Sequence, residues 1–168
     1  MGESLNGGRL ILTLTDEDAT EAAAARVAAA LTSESGPLCV TFSGALGSGK
    51  TTFVRGLLRA LGVRGTVRSP SFTLVEEYVV AGWEVLHLDL YRLGEGDDLA
   101  ALGIRERLVD RTLVLVEWPE RAARGSLPEP DLAITLAAES QSHRLAAAAG
   151  SSAGARLLAA ARQKPSDD

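Results

Sequence analysis

The sequence predicts an α/β fold, and three observations carry that reading. Leu38, Cys39, Val40, Thr41, Phe42 and Ser43 form a short apolar run, β-branched in part, with the character of a buried parallel strand. Val54, Leu57, Leu58 and Leu61 then recur at helical spacing, with Arg55 and Arg59 on the other side and Gly62 as a stop. Between them stands Gly44-Ala45-Leu46-Gly47-Ser48-Gly49-Lys50-Thr51, which fits the pattern G-x-x-x-x-G-K-[ST].

That pattern has a chemical meaning when a strand precedes it and a helix follows. Glycines let the backbone curl without side-chain clashes. The loop N–H groups can then turn inward as a nest for phosphate oxygens. Lys50 can reach the β- and γ-phosphates, and the Thr51 hydroxyl can sit on Mg²⁺. The helix points its positive dipole end at the same phosphates. A glycine-rich turn without function is the competing reading, and both flanks speak against it.

Composition sets bounds. A chain of 168 residues is read as a single domain over 1–168, with residues 1–8 and 163–168 expected to be disordered. It is 46% hydrophobic and 23% charged, ordinary for a globular protein. No apolar run approaches the ~20 residues of a membrane span, and residues 1–8 lack a signal pattern, so no membrane role and a cytoplasmic location are expected. The single cysteine, Cys39, excludes an internal disulfide and reads as a small core residue. The net charge of −5, with scattered arginines and lysine only at 50 and 164, shows no basic face for direct nucleic-acid binding.

In chain order, residues 9–15 alternate as a first strand. Thr15 and Asp18 resemble a capping box ahead of a helix that runs to Leu31, with Ala24, Val27, Ala28 and Leu31 on one face. After the phosphate loop and its helix, residues 63–68 link to Ser69-Pro70-Ser71-Phe72-Thr73. That segment reads as a loop entering a strand, or as one that touches the γ-phosphate and moves with it. Residues 74–80 and 83–88 form two strands around an Ala81-Gly82 turn. Residues 97–102 read as a short helix closed by Gly103. Residues 112–116 form another buried strand, and 120–126 a short helix or loop. Residues 131–138 and 143–149 make a final hairpin, and 151–162 an amphipathic helix.

Two carboxylates follow apolar runs: Asp89 and Glu117. Each could bind Mg²⁺ directly, bind it through water, or position an attacking water, and each could also be a surface acid at a strand end. His87 and His143 lack a second ligand at metal spacing and read as structural, as do Trp83 and Trp118.

Several stretches together resemble one family. They are Gly44 to Gly56 with Thr51-Thr52-Phe53, then Ser69-Pro70-Ser71-Phe72-Thr73-Leu74-Val75-Glu76 with Tyr78, then His87-x-Asp89-Leu90-Tyr91-Arg92-Leu93, then Leu102-Gly103-Ile104, and lastly Glu117-Trp118-Pro119. In this order they resemble the bacterial TsaE (YjeE) family over residues 9–150. The resemblance implies a three-layer P-loop NTPase fold with a mixed, mainly parallel central sheet. It implies an ATPase using ATP and Mg²⁺ that works with the TsaB and TsaD proteins. That assembly forms N6-threonylcarbamoyladenosine at position 37 of tRNAs reading ANN codons, so tRNA is met only indirectly. TsaD transfers the threonylcarbamoyl group. The TsaE-like protein couples hydrolysis to resetting the complex, with low activity alone.

Carried over by position, Lys50, Asp89 and Glu117 are the catalytic set, and Thr51 and Glu117 the metal ligands. Leu46, Gly47, Ser48, Gly49, Lys50, Thr51 and Thr52 hold the nucleotide phosphates. The adenine falls near Asp16, Glu17 and the Ser140-Gln141 turn, which makes Glu17 and Gln141 its contacts. Ser71 and Thr73 match hydroxyls of the first switch-like segment, and Asp89 lies in a second. The family commonly has Asp where this chain has Ala45, so any role of that carboxylate is absent or passes to Asp89. Ser48 replaces a common alanine and adds a possible phosphate donor. Transition-state charge is to be met by a partner or by Arg92. An ATP-dependent assembly clamp and a small-molecule kinase of the same fold are the alternatives.

Overall fold

The computed structural model describes residues 3–6, 8–70, 72–94 and 99–162. The strands are β1 (Glu3–Asn6), β2 (Arg9–Leu14), β3 (Leu38–Ser43), β4 (Val75–Val80), β5 (Trp83–Asp89), β6 (Thr112–Glu117), β7 (Leu132–Ala138) and β8 (His143–Ala149). The helices are α1 (Glu17–Leu31), α2 (Lys50–Leu61) and α3 (Ser152–Arg162). Two short 3₁₀ turns cover Leu99–Leu102 and Pro119–Arg121.

All eight strands join one mixed sheet in the order β1-β2-β8-β7-β3-β6-β5-β4. Its centre, β7-β3-β6-β5, is parallel. The pairs β1–β2, β2–β8, β7–β8 and β4–β5 are antiparallel. The parallel part is thus the buried middle, and antiparallel pairs outnumber parallel ones. The hairpins explain this, because a two-residue turn such as Ala81-Gly82, with φ of 50° and 78°, can join only antiparallel neighbours.

Strand alternation sorts the core into two faces. Val40, Phe42, Val85, Leu113, Leu115 and Ile134 pack under all three helices. Cys39, Leu86, Leu88, Val114 and Val116 pack on the opposite face against Leu99, Ile104 and Leu127. The three-layer expectation is therefore met with a difference: among the described residues the second outer layer consists of 3₁₀ turns and loops. Gly103, Pro119, Gly125 and Pro128 punctuate that stretch and leave no run long enough for an α-helix.

Two sequence expectations shift. Glu3–Asn6 pairs with Arg9–Leu12 as a strand, against the disorder expected over 1–8, because a hairpin to β2 satisfies its backbone. Residues 163–168 lie outside the described residues. Helix α1 is capped by Asp16, whose Oδ1 accepts from Ala19 N–H at 2.7 Å, while Thr15 Oγ1 donates to Asp16 Oδ2. A carboxylate at the N-cap serves both the free N–H and the helix dipole better than the Thr15 hydroxyl would.

Asp131 ties the end of the chain to the central sheet. Its Oδ2 accepts from Cys39 N–H at 2.8 Å and its Oδ1 from Ser151 Oγ at 2.5 Å, while its carbonyl accepts from Gly150 N–H at 2.8 Å. Helix α3 crosses so near that a Cβ on Gly154 would lie 1.6 Å from Asp131 O. Gly154→Ala is thus expected to destabilise by roughly 3 kcal/mol or more, despite alanine's better helix propensity. Calorimetry should show melting lowered by about 6–12 °C; an unchanged melting temperature would contradict the packing.

Cys39 is buried, and burial, with Asp131 and Glu129 adding, pushes its thiol up to about 12. It should resist alkylation at pH 8 in the folded protein and react fully in denaturant. The unfolded thiol ionises near 9, so between about 9 and 12 the unfolded state binds fewer protons. Stability from this group then falls as pH rises, by about 1.4 kcal/mol per pH unit. Denaturant titrations of wild type and Cys39→Ala at pH 8 and pH 10.5 check the sign.

Candidate functional site

The site lies where β3, β5 and β6 end together beneath the start of α2. The loop after β3 reverses tightly. Gly44 has φ of 139°, and a Cβ there would sit 2.1 Å from Leu136 O and 2.7 Å from Ser48 Oγ, so only glycine fits. Gly49, also left-handed, opens α2. Lys50 and Thr51 therefore stand on the first turn of a helix whose Phe53, Val54, Leu57 and Leu58 are buried in the core. The glycine at 56 lets α2 pass close to Glu21 and Ala24 of α1.

Register brings the two acids side by side. Asp89 pairs with Glu117 across β5–β6, and Glu117 with Phe42 across β6–β3. Thr51 Oγ1 donates to Glu117 Oε2 at 2.8 Å. The other oxygen, Oε1, lies 2.8 Å from Nε2 of the fully buried His87. Asp89 accepts from Tyr91 N–H at 3.0 Å on Oδ1 and from Ser69 Oγ on Oδ2. The Ser69 contact ties the Ser-Pro loop to the strand end that carries Asp89.

Lys50 is buried. Its Nζ donates to Gly44 O at 2.7 Å, to Ala45 O at 2.9 Å and to Ser48 Oγ at 3.4 Å, and lies 3.9 Å from the centre of the Trp118 ring. Burial holds its ammonium below the ordinary lysine range, against the upward pull of Glu117, Glu120 and Asp89. Trp118 has a left-handed φ of 60° and its ring meets that of Tyr91 in a tilted contact, with centroids 4.9 Å apart.

These groups line one cavity of about 410 Å³, with Leu46, Gly47, Gly49, Lys50, Thr51, Thr52, Ser69, Asp89, Arg92 and Glu117 on its walls. A second hollow of about 350 Å³ shares Gly47, Gly49 and Thr52 and continues over Thr15, Asp16, Glu17, Thr20 and residues 139–143. The structure thus gathers the loop residues, Asp89 and Glu117 in the first cavity, and Glu17 and Gln141 in the second. Glu17 is also ion-paired with Arg55 on α2. Ser48 is the exception: its side chain is fully buried, beside Gly44 and Lys50, and lines neither cavity. Ser71 lies outside the described residues, and Thr73 is exposed.

Sequence reasoning missed three members. His87 and Trp118 read as packing residues, yet His87 touches Glu117 and Trp118 underlies Lys50. Ser69 entered only as one of several hydroxyls. The signal for His87 was its period-two spacing from Asp89, which puts both on the face under α2.

The site's oxygen chemistry suits a hard cation. A hydroxyl and a carboxylate stand together with no soft donor among the described residues that line the cavity, which fits Mg²⁺ shared with phosphates better than a dedicated protein cage. Among the described residues no group of three or more His, Cys, Asp or Glu could hold a metal unaided. No helix among the described residues is long and apolar enough to cross a membrane.

Known proteins are similar along most of the chain. The family described as "Threonylcarbamoyl adenosine biosynthesis protein TsaE" matches residues 14–146. The tRNA threonylcarbamoyladenosine biosynthesis protein TsaE of Haemophilus influenzae is 43% identical over 99 residues, which are 59% of this chain and 62% of that relative. The protein of the same description from Rickettsia conorii is 32% identical over 134 residues, 79% of this chain and 74% of that one. The crystal structure of Bacillus subtilis YdiB superposes with a TM-score of 0.75 at 25% identity, over 94% of this chain and 97% of that one. The family match spans the glycine loop, the segments around Ser69 and Asp89, both acids and most of the sheet, and the chain belongs to the TsaE family.

Proposed function

We propose that the chain acts in tRNA threonylcarbamoyladenosine formation as a Mg²⁺-dependent ATPase that works with TsaB and TsaD. The observation that carries the reading is the Thr51 hydroxyl set 2.8 Å from Glu117 Oε2, in one cavity with Lys50 and Asp89. The phosphates of ATP would lie against the loop amides of residues 46–52, and the base would lie in the hollow bordered by Glu17 and Gln141. Bound Mg²⁺ would neutralise charge on the phosphate oxygens. Thr51 and Glu117 are the residues that would hold it.

The reaction is attack of water oxygen on the γ-phosphorus with loss of ADP. Lys50 would leave its carbonyl partners and stabilise the developing negative charge. Asp89 has both oxygens fixed by Ser69 and Tyr91, so its remaining lone pairs have a set direction from which to orient the water. Arg92 lines the cavity and lies over the Phe72 ring at 5.0 Å, placing a cation within the same walls.

The partner half of the reading draws support from the rim. Leu46 and Phe72 are 74% and 88% exposed, large apolar side chains at or beside the mouth. Phosphate release from Mg-ATP tests the proposal, with the protein alone and with TsaB and TsaD from the same organism. Partner-stimulated release that Lys50→Ala abolishes is the expected result. ATP binding without stimulated release would favour the assembly clamp.

A further inference from the structure

We propose that His87 is a positioning residue for Glu117: its Nε2–H holds Oε1, which leaves Oε2 aimed with Thr51 at the cation. The inference rests on the Mg²⁺-ATP reading above and adds to it the device that orients the carboxylate.

His87 lies near the C-terminal end of β5, between β4 and β6, and is fully buried. On its face of the sheet, Val85 before it and Leu115 beside it on β6 belong to the apolar core while Asp89 after it belongs to the site, so His87 stands at the border, where an aliphatic side chain would also pack. A polar ring stands there instead. Its Nε2 lies 2.8 Å from Glu117 Oε1, and a carboxylate can only accept, so the ring donates. Its Nδ1 is buried with no hydrogen-bond partner among the described residues. A buried polar atom left unpaired costs stability and calls for a compensating role.

Geometry supplies that role. A glutamate carboxylate turns freely about its last bond, and a single contact from Thr51 would not fix it. The two oxygens here have different owners: Oε1 belongs to His87, and Oε2 faces Thr51 at 2.8 Å. Groups behind a metal ligand orient it in this way, and their loss lowers metal affinity by about 10- to 100-fold.

The test is calorimetric binding of the non-hydrolysable β,γ-imido analogue of ATP, with Mg²⁺ and with EDTA, to the full chain. The ratio of the two affinities is the Mg²⁺ gain. His87→Leu is expected to cut that gain about tenfold or more while affinity in EDTA stays within about twofold. His87→Gln, whose amide N–H can reach Oε1, should restore most of it. A merely structural role would lower both affinities together and would show no rescue. Should His87→Leu fail to fold, His87→Asn, whose amide is too short to reach, makes the same comparison with the Gln variant. Wild type with no Mg²⁺ gain would remove the metal reading and the role of His87 with it. A gain that Glu117→Gln abolishes but the Leu or Asn variant keeps in full would overturn the His87 role alone.

Discussion

Lys50→Ala is expected to abolish measurable hydrolysis, by about 10²–10³-fold or more, in a protein that folds as well as wild type. The two halves of this expectation come from the same contacts. The ammonium is buried over the Trp118 ring and hydrogen-bonded to Gly44 O and Ala45 O, from where it could swing to phosphate oxygens. Burial also lowers its affinity for the proton, so the folded state favours the charged form less than the unfolded chain does. Alanine removes that desolvation cost together with the hydrogen bonds to the loop carbonyls, so the melting temperature should change little while the chemistry is lost. The pH dependence has a defined sign. The folded value lies below the ordinary 10.5, so as pH rises toward 10.5 the native state releases its proton before the unfolded state does. Wild type should therefore gain on the variant in the alkaline range. Melting curves at pH 7 and pH 10, beside phosphate release, check both parts. A variant that melts far below wild type would show that Lys50 holds the loop together, and the catalytic reading would lose its control.

The second large effect separates the two acids. Glu117→Ala should lower Mg²⁺-dependent ATP affinity by at least about tenfold, because it removes the carboxylate facing Thr51. Asp89→Ala should keep that affinity within about threefold and lower hydrolysis by about 10²-fold, the scale of general acid–base or water-orienting groups. The structural basis is their different partners: Glu117 accepts from the Thr51 hydroxyl on α2, whereas Asp89 is bound to Ser69 and the Tyr91 amide. Binding titrations with and without Mg²⁺, followed by single-turnover hydrolysis, read the two effects apart. Equal losses of affinity in both variants would merge the acids into one metal site.

Much of this arrangement is local and therefore visible in the chain. The phosphate loop, the strand before it and the helix after it are set by eight consecutive residues and their flanks. Period-two and helical apolar spacing places the principal strands and helices within a residue or two at most ends. Both acids stand out because a carboxylate that ends a buried run must lie at the rim of the sheet. Local pattern could not say that α1, α2 and α3 share one face, nor that short turns cover the other, since a helix's apolar stripe does not name its partner. Nor could it read Glu3–Asn6, whose strand state comes from pairing with β2.

The sequence by itself determined the chemistry at hand: a glycine loop with Lys50 and Thr51, two strand-end carboxylates, and a family order that spans them. Only the tertiary structure decided how these groups meet. Thr51 and Glu117 are 66 residues apart, His87 and Glu117 are 30, Ser69 and Asp89 are 20, and the Asp131 clasp reaches back 92 residues to Cys39. Such contacts depend on strand order and register, which set β5 beside β6 and both beneath α2. A one-residue slip would turn His87, Asp89 and Glu117 to the opposite face. The hydrophobic core on both sides of the sheet fixes that register, and through it the position of every polar group in the site.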